Sequence, residues 1–189
     1  MPLPQNRHST YADYRTWDSD SKYELFDGTP VMQARPSILH QNVEMQIARQ
    51  LANFLDGKPC NVFTEIEVLF PDHAHQSADD VQNVYVPDIA VICEPEKLTE
   101  QYCYGAPTLI IEILSPSTAK ADRVLKLNRY QSAGVQEYWI ISPQERTVNA
   151  FTLQNQFYRL SGAYSESDIA PVTSLPGCSI DLRTVFDVK

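Results

Sequence analysis

No apolar run in this 189-residue chain approaches the roughly 20 residues that a membrane helix needs. The N-terminal stretch "MPLPQNRHSTYADY" is polar and proline-bearing and has no apolar signal-peptide core, so the expected location is the cytoplasm. Cations are scarce: 15 Lys and Arg stand against 24 Asp and Glu, for a net charge of −9. That balance excludes a broad electrostatic grip on nucleic acid and leaves room only for a small local positive site. There is no C-x-x-C pair. Cys60, Cys93, Cys103 and Cys178 are scattered and read as free thiols rather than as a disulfide or zinc site. His73 and His75 lie beside Asp72 in "PDHAHQSADD", but nothing periodic there would fix a ligand geometry, so the segment reads as an exposed loop. No internal repeat and no low-complexity linker divides the chain, which has the length of one domain, residues 1–189.

Hydrophobic residues make up 43% and charged residues 21%, an ordinary globular mixture with enough apolar matter for a core. "YELFDGTPVMQ" (23–33) predicts a hairpin turning at Asp27-Gly28. Val43, Ile47, Leu51 and Phe54/Leu55 recur at helical spacing, which predicts a helix over 37–56, capped by Ser37 and ended by Gly57. Three strands are expected over 61–70, 84–92 and 108–115. Between the last two, "CEPEKLTEQYCYGAP" reads as loop with at most a turn of helix. A second helix is expected over 117–135, with Ser117 or Thr118 as N-cap and Gly134 as stop. A strand over 136–142, a hairpin over 147–162 and a tail packing back through Leu182, Val185 and Phe186 complete the order. The implied fold class is α/β or α+β, a mixed sheet flanked by helices, with a parallel crossover from Thr108 to Ser142.

The stretch "TLIIEILS" carries one acid in an aliphatic run. Side chains alternate along a strand, so Leu109, Ile111 and Ile113 face one way and Ile110, Glu112 and Leu114 the other. Both faces are otherwise apolar, as in a strand covered on both sides. A buried carboxylate needs a cation or a strong set of hydrogen bonds. "VYVPDIAVI" repeats the pattern with Asp88, just after Pro87, which suggests a bend or an edge. Strands neighbour one another at about 4.8 Å, so the two acids are placed to converge on one divalent cation, Mg²⁺ or Mn²⁺. The alternative is two unrelated structural acids, each with its own basic partner. On the second helix Arg123, Lys126 and Tyr130 share a stripe, with Val124 and Leu127 on a neighbouring stripe that can face the sheet. A solvated lysine is the plain reading of Lys126, and a stabiliser of phosphate or hydroxide is the reading that the two acids favour.

The stretches "YELFDG", "HQNV", "VPDIAV", "IIEILSPST" and "DRVLKLNRYQSAGVQEYWIISP" resemble the PD-(D/E)XK nuclease superfamily and, more closely, the Uma-two family of restriction-endonuclease-like proteins, which is abundant in cyanobacteria. The resemblance runs from about Tyr23 to Pro143, and more loosely to Leu160. It implies a restriction-endonuclease-like core in the order α-β-β-β-α-β. It also implies metal ligation by Asp88, Glu112 and the Ile113 carbonyl. The plain motif has lysine two residues after the second acid, where this chain has Leu114. The resemblance implies that Lys126 replaces it from the following helix. Glu24 matches a further acid near the family's site, although by its own surroundings it reads as a surface hairpin residue. His40 also falls at a family-like position, although a helix-start cap or surface histidine is its plainer reading.

The expected activity is Mg²⁺-dependent hydrolysis of nucleic-acid phosphodiester bonds, with Asp88, Glu112, Lys126 and Glu24 catalytic. The expected partners are nucleic acid, DNA in the first instance, and a second copy in a homodimer. The main alternative is a catalytically inactive nuclease-fold interaction protein, which the acidic charge and the displaced lysine favour. A carboxylate-pair glycosidase is a third option, disfavoured by the lysine and by the placement of the acids on strands.

Overall fold

Ser37 starts the first long helix as expected: its hydroxyl accepts the His40 N–H at 3.2 Å. The computed structural model describes residues 8–17, 22–115 and 122–187. A short helix, α1 (Tyr11–Tyr14), precedes the hairpin of β1 (Tyr23–Phe26) and β2 (Thr29–Met32). Asp27 and Gly28 turn it with φ of 48° and 74°, the left-handed pair that a tight hairpin requires. The capped helix is α2 (Ile38–Leu55). There follow β3 (Asn61–Thr64), β4 (Glu67–Leu69), β5 (Val84–Tyr85), β6 (Ile89–Ile92), β7 (Tyr102–Tyr104) and β8 (Leu109–Ile113). A π-helical turn, Asp122–Lys126, runs into α3 (Leu127–Ala133). Then come β9 (Glu137–Ser142), β10 (Thr147–Gln154), β11 (Phe157–Ser165), β12 (Ile169–Pro171) and β13 (Ser179–Asp181).

The large sheet runs β11-β10-β9-β8-β6-β3, and a second sheet runs β2-β1-β5-β4-β7. The fold is α+β, with mixed sheets flanked by helices. Along the chain α2, β3, β6, β8, α3 and β9 realise the expected α-β-β-β-α-β order. β8 and β9 pair in parallel across the crossover. Val43, Ile47, Leu51 and Leu55 of α2 are buried against Ile89, Val91, Leu109, Ile111, Ile113, Trp139 and Ile141 on one face of the large sheet. Each such side chain contributes about 1.5–3 kcal/mol on leaving water. Leu182, Val185 and Phe186 close the same core, as expected. The opposite face carries Ile110, Leu114, Tyr138 and Ile140, covered by Tyr130 of α3 and by Val68 and Tyr85 of the second sheet. Glu112 belongs to that face.

Two of the three expected strands are each divided between sheets. The run 61–70 breaks at Glu65, whose φ is 52°, so β3 stays in the large sheet and β4 joins the second. The run 84–92 breaks at Pro87 and Asp88 in the same manner, giving β5 and β6. β7 lies within the segment read as loop; it pairs with β4 in parallel over three residues.

The second helix also differs from expectation. Val124 and Leu125 are each 55% exposed and Lys126 is 3% exposed. The wider π turn advances the stripe by a residue, so Val124 does not face the sheet. Ser117 and Thr118, the expected caps, lie outside the described residues, as does the side chain of Arg123.

Cys60 and Cys93 form a disulfide, correcting the free-thiol expectation for that pair. The antiparallel register Asn61↔Ile92 sets the two cysteines opposite each other at the end of the β3–β6 ladder, a juxtaposition that no spacing motif announces. Cys103 and Cys178 are free and buried. Among the described residues, no helix is long and apolar enough to cross a membrane.

Candidate active site

Asp88 ends the break between β5 and β6. Its carbonyl accepts the Glu65 N–H at 3.2 Å and its Oδ2 accepts the Ile113 N–H at 2.6 Å. The bend that Pro87 introduces therefore ties the start of β6 to the end of β8 through a side chain. The N–H and C=O of a strand residue point to the same edge, so the Ile113 carbonyl faces Asp88 as well. Asp88 Oδ1 lies 3.3 Å from His40 Nε2, and the Asp88 side chain is 20% exposed.

Glu112 is 3% exposed. Both of its oxygens accept from Lys126 Nζ at 3.1 Å, and Oε1 also accepts the Tyr130 hydroxyl at 2.6 Å. Lys126 Nζ lies 2.9 Å from Glu24 Oε1. Glu24 Oε1 in turn accepts the Val86 N–H at 2.8 Å. One buried ammonium thus bridges a carboxylate on β1 and a carboxylate on β8. Burying three charges costs several kcal/mol per ion unless each is matched, and here every charge has partners.

Glu24, His40, Asp88, Glu112, Ile113 and Lys126 line one cavity of about 540 Å³. Lys22 and Glu65 line it as well. All five positions singled out in the sequence, Glu24, Asp88, Glu112, Ile113 and Lys126, meet there. Glu137 gives a contrast. It is equally buried, but Trp139 Nε1 and the Thr173 and Ser174 N–H groups satisfy it at 2.7, 3.1 and 2.6 Å, away from this cavity. That is what a purely structural strand acid looks like.

Three residues were misread or missed. Glu24 is not a surface residue: it is 4% exposed, with the Val86 N–H and the Lys126 ammonium on its carboxylate. His40 is 8% exposed and is neither the cap, which is Ser37, nor a surface group. Burial alone would lower its pKa; the hydrogen bond and charge of Asp88, then Glu44 and the Ile113 carbonyl, carry it above the ordinary value. Glu44, one turn on, is pushed up to about 7 by burial and next by the charge of Asp88. The signal for both was their spacing: His40 is three residues before Val43, and Glu44 is four after His40, so they share the buried side of α2. Burial, and then the charge of Glu112, drives the Tyr130 hydroxyl well above its ordinary range, so it stays protonated and donates.

Whether the site suits a divalent cation is a question of donors. Asp88, Glu112 and the Ile113 carbonyl are hard oxygen donors beside one cavity, the kind that Mg²⁺ and Mn²⁺ take. Among the described residues no three acidic, histidine or cysteine side chains are gathered closely enough to grip a metal by themselves, so the backbone carbonyl is a needed member of the set. With it, the donors fit in kind.

Residues 11–183 match the family described as "Putative restriction endonuclease", Uma2. The chain belongs to the Uma2 family. An uncharacterized protein of Synechocystis sp. is 25% identical over 180 residues, covering 92% of this chain and 89% of the relative. The crystal structure titled as a putative nuclease belonging to DUF820 from Anabaena variabilis matches with a TM-score of 0.74 at 18% identity, over 94% of this chain and 97% of that one. The likeness to that structure concerns the fold.

Proposed function

We propose that this Uma2 protein hydrolyses phosphodiester bonds of nucleic acid, DNA in the first instance, with Mg²⁺ or Mn²⁺ held by Asp88, Glu112 and the Ile113 carbonyl. The observation that carries the reading is the position of Lys126, 3% exposed between Glu24 and Glu112 in the cavity that also holds Asp88. Buried charged groups gathered at a cavity mark a candidate catalytic site.

Bound there, the cation would lower the pKa of a water and draw charge from the phosphate. The remaining work belongs to the chain. Lys126 brings a positive charge to the cavity wall, where the charge that builds on a phosphate is offset. Glu24 holds Lys126 from the side of β1, and the Val86 N–H keeps Glu24 still. Tyr130 donates to Glu112 and fixes its rotamer. His40 orients Asp88 from the side of α2. Asp88 in turn grips the Ile113 N–H, so the carbonyl of that residue is held at the same edge.

A second reading, a nuclease fold kept as a binding scaffold, is favoured by the net charge of −9 and by the engagement of Lys126 with both glutamates. Calorimetry separates the two. A nuclease binds Mn²⁺ in a manner that Glu112→Gln abolishes. A scaffold binds none, and Asp88 and Glu112 substitutions then alter stability only.

A further inference from the structure

We infer that the aromatic recess beside this cavity is a subsite for an unpaired nucleobase, and so that the preferred substrate is a single strand; the inference rests on the nuclease reading above. The recess has a volume of about 590 Å³. Tyr14, Trp17 and Tyr23 form its wall, Arg15 and Lys22 stand at it, and Glu67 lies within. Trp17 and Tyr14 rings lie 5.4 Å apart, and Trp17 and Tyr23 rings 5.7 Å. All three rings are half-buried and leave area to a ligand.

Three features select the occupant. The first is continuity: Lys22 and Glu65 line both this recess and the cavity of Asp88, Glu112 and Lys126. A strand with its phosphate at those residues would lay a neighbouring base against Trp17. The second is the mix of chemistries. A base offers a π-face to the rings, which stack any base regardless of sequence. It offers N–H hydrogens, imide or amino, to Glu67, which Tyr11 already orients through a 2.9 Å hydrogen bond. The third is charge. Lys22 pairs with Glu65 at 2.6 Å, and Arg15 pairs with Asp79. All four side chains are at least 44% exposed, and such pairs hold weakly in water, so either cation can turn to a phosphate. A quaternary-ammonium ligand would use the rings but oppose both cations. A paired duplex base has no free face to offer.

The test is fluorescence anisotropy of a fluorescein-labelled oligothymidylate, with EDTA present so that no cleavage occurs. The wild-type chain should bind it about ten-fold or more tightly than a blunt hairpin duplex. Trp17→Ala should weaken binding by about ten-fold or more, and Trp17→Phe, which keeps a ring, should retain most of it. Two phosphate contacts predict a shallow salt dependence, a log–log slope of about −1.4 for a single strand. A second readout needs no variant. Trp139 is fully buried, so quenching of tryptophan emission by the oligonucleotide reports Trp17. Equal affinity for duplex and single strand, or unchanged binding by a folded Trp17→Ala chain without quenching in the wild type, overturns the inference. If the wild type still cleaves nucleic acid in that case, the nuclease reading stands alone. If it neither binds nor cuts any nucleic acid, both fall.

Discussion

Replacing Lys126 by methionine removes the ammonium from between Glu24 and Glu112 and keeps the stem. Both carboxylates are then left at 4% and 3% exposure without their shared cation. Removing one partner of a buried ion pair costs about 3–5 kcal/mol, because a buried charge loses its compensation. Two facts set the expected loss at the lower end. The Val86 N–H and the Tyr130 hydroxyl still donate to the two acids, and the adjoining cavity lets water approach. About 3 kcal/mol follows, which in a chain of this size lowers Tm by about 6–12 °C. The assay is urea and thermal unfolding at pH 7, followed by far-UV circular dichroism. Adding Glu112→Gln to Lys126→Met should recover part of the loss, because an amide strands no charge. A loss below about 1 kcal/mol, the range of exposed pairs, would refute the reasoning and return Lys126 to a solvated helix face.

Three further outcomes are expected. Glu44 has its folded pKa raised from 4.5 to about 7, so the folded chain holds the extra proton, and stability drains away as pH rises through that window. Glu44→Gln should flatten the pH dependence between about 4.5 and 7 and raise stability at pH 8 by about 1–3 kcal/mol; denaturant melts across pH check it. Reduction of Cys60–Cys93, which spans 33 positions, should cost about 3–4 kcal/mol in loop-closure entropy, and an unchanged Tm in dithiothreitol would contradict the bridge. Tyr130→Phe removes a 2.6 Å hydrogen bond to a buried carboxylate, so it should cost about 1.5–3 kcal/mol in chemical unfolding.

The parts of the fold legible in the sequence are those set by local period and turn chemistry. The hairpin at Asp27-Gly28, helix α2 and strand β8 formed where periodicity and caps placed them. The divided strands were not legible, because the alternation from Val62 to Phe70 runs on through Glu65. Only the left-handed turn at that residue reveals the change of sheet. β7 and the Cys60–Cys93 bridge depend on partners distant in sequence. The site divides similarly. Asp88 and Glu112 announced themselves as lone acids in apolar runs. Glu24 did not, because the groups that meet its carboxylate, the Val86 N–H and the Lys126 ammonium, are distant in sequence, and the stretch "YELF" is neutral about which face is covered. His40 looked like a cap because it stands in the first turn of α2, yet the same turn points it at Asp88.

The central claim is that the cavity of Asp88, Glu112 and Lys126 cuts phosphodiester bonds. Single-turnover cleavage of a labelled single-stranded oligonucleotide, with Mg²⁺ or Mn²⁺ and with chelator as control, tests it most directly. The wild type should give metal-dependent products, and Asp88→Asn, whose fold circular dichroism should find intact, should lose about a hundred-fold or more. No cleavage of any nucleic acid by the wild type, or equal cleavage by Asp88→Asn, would contradict it.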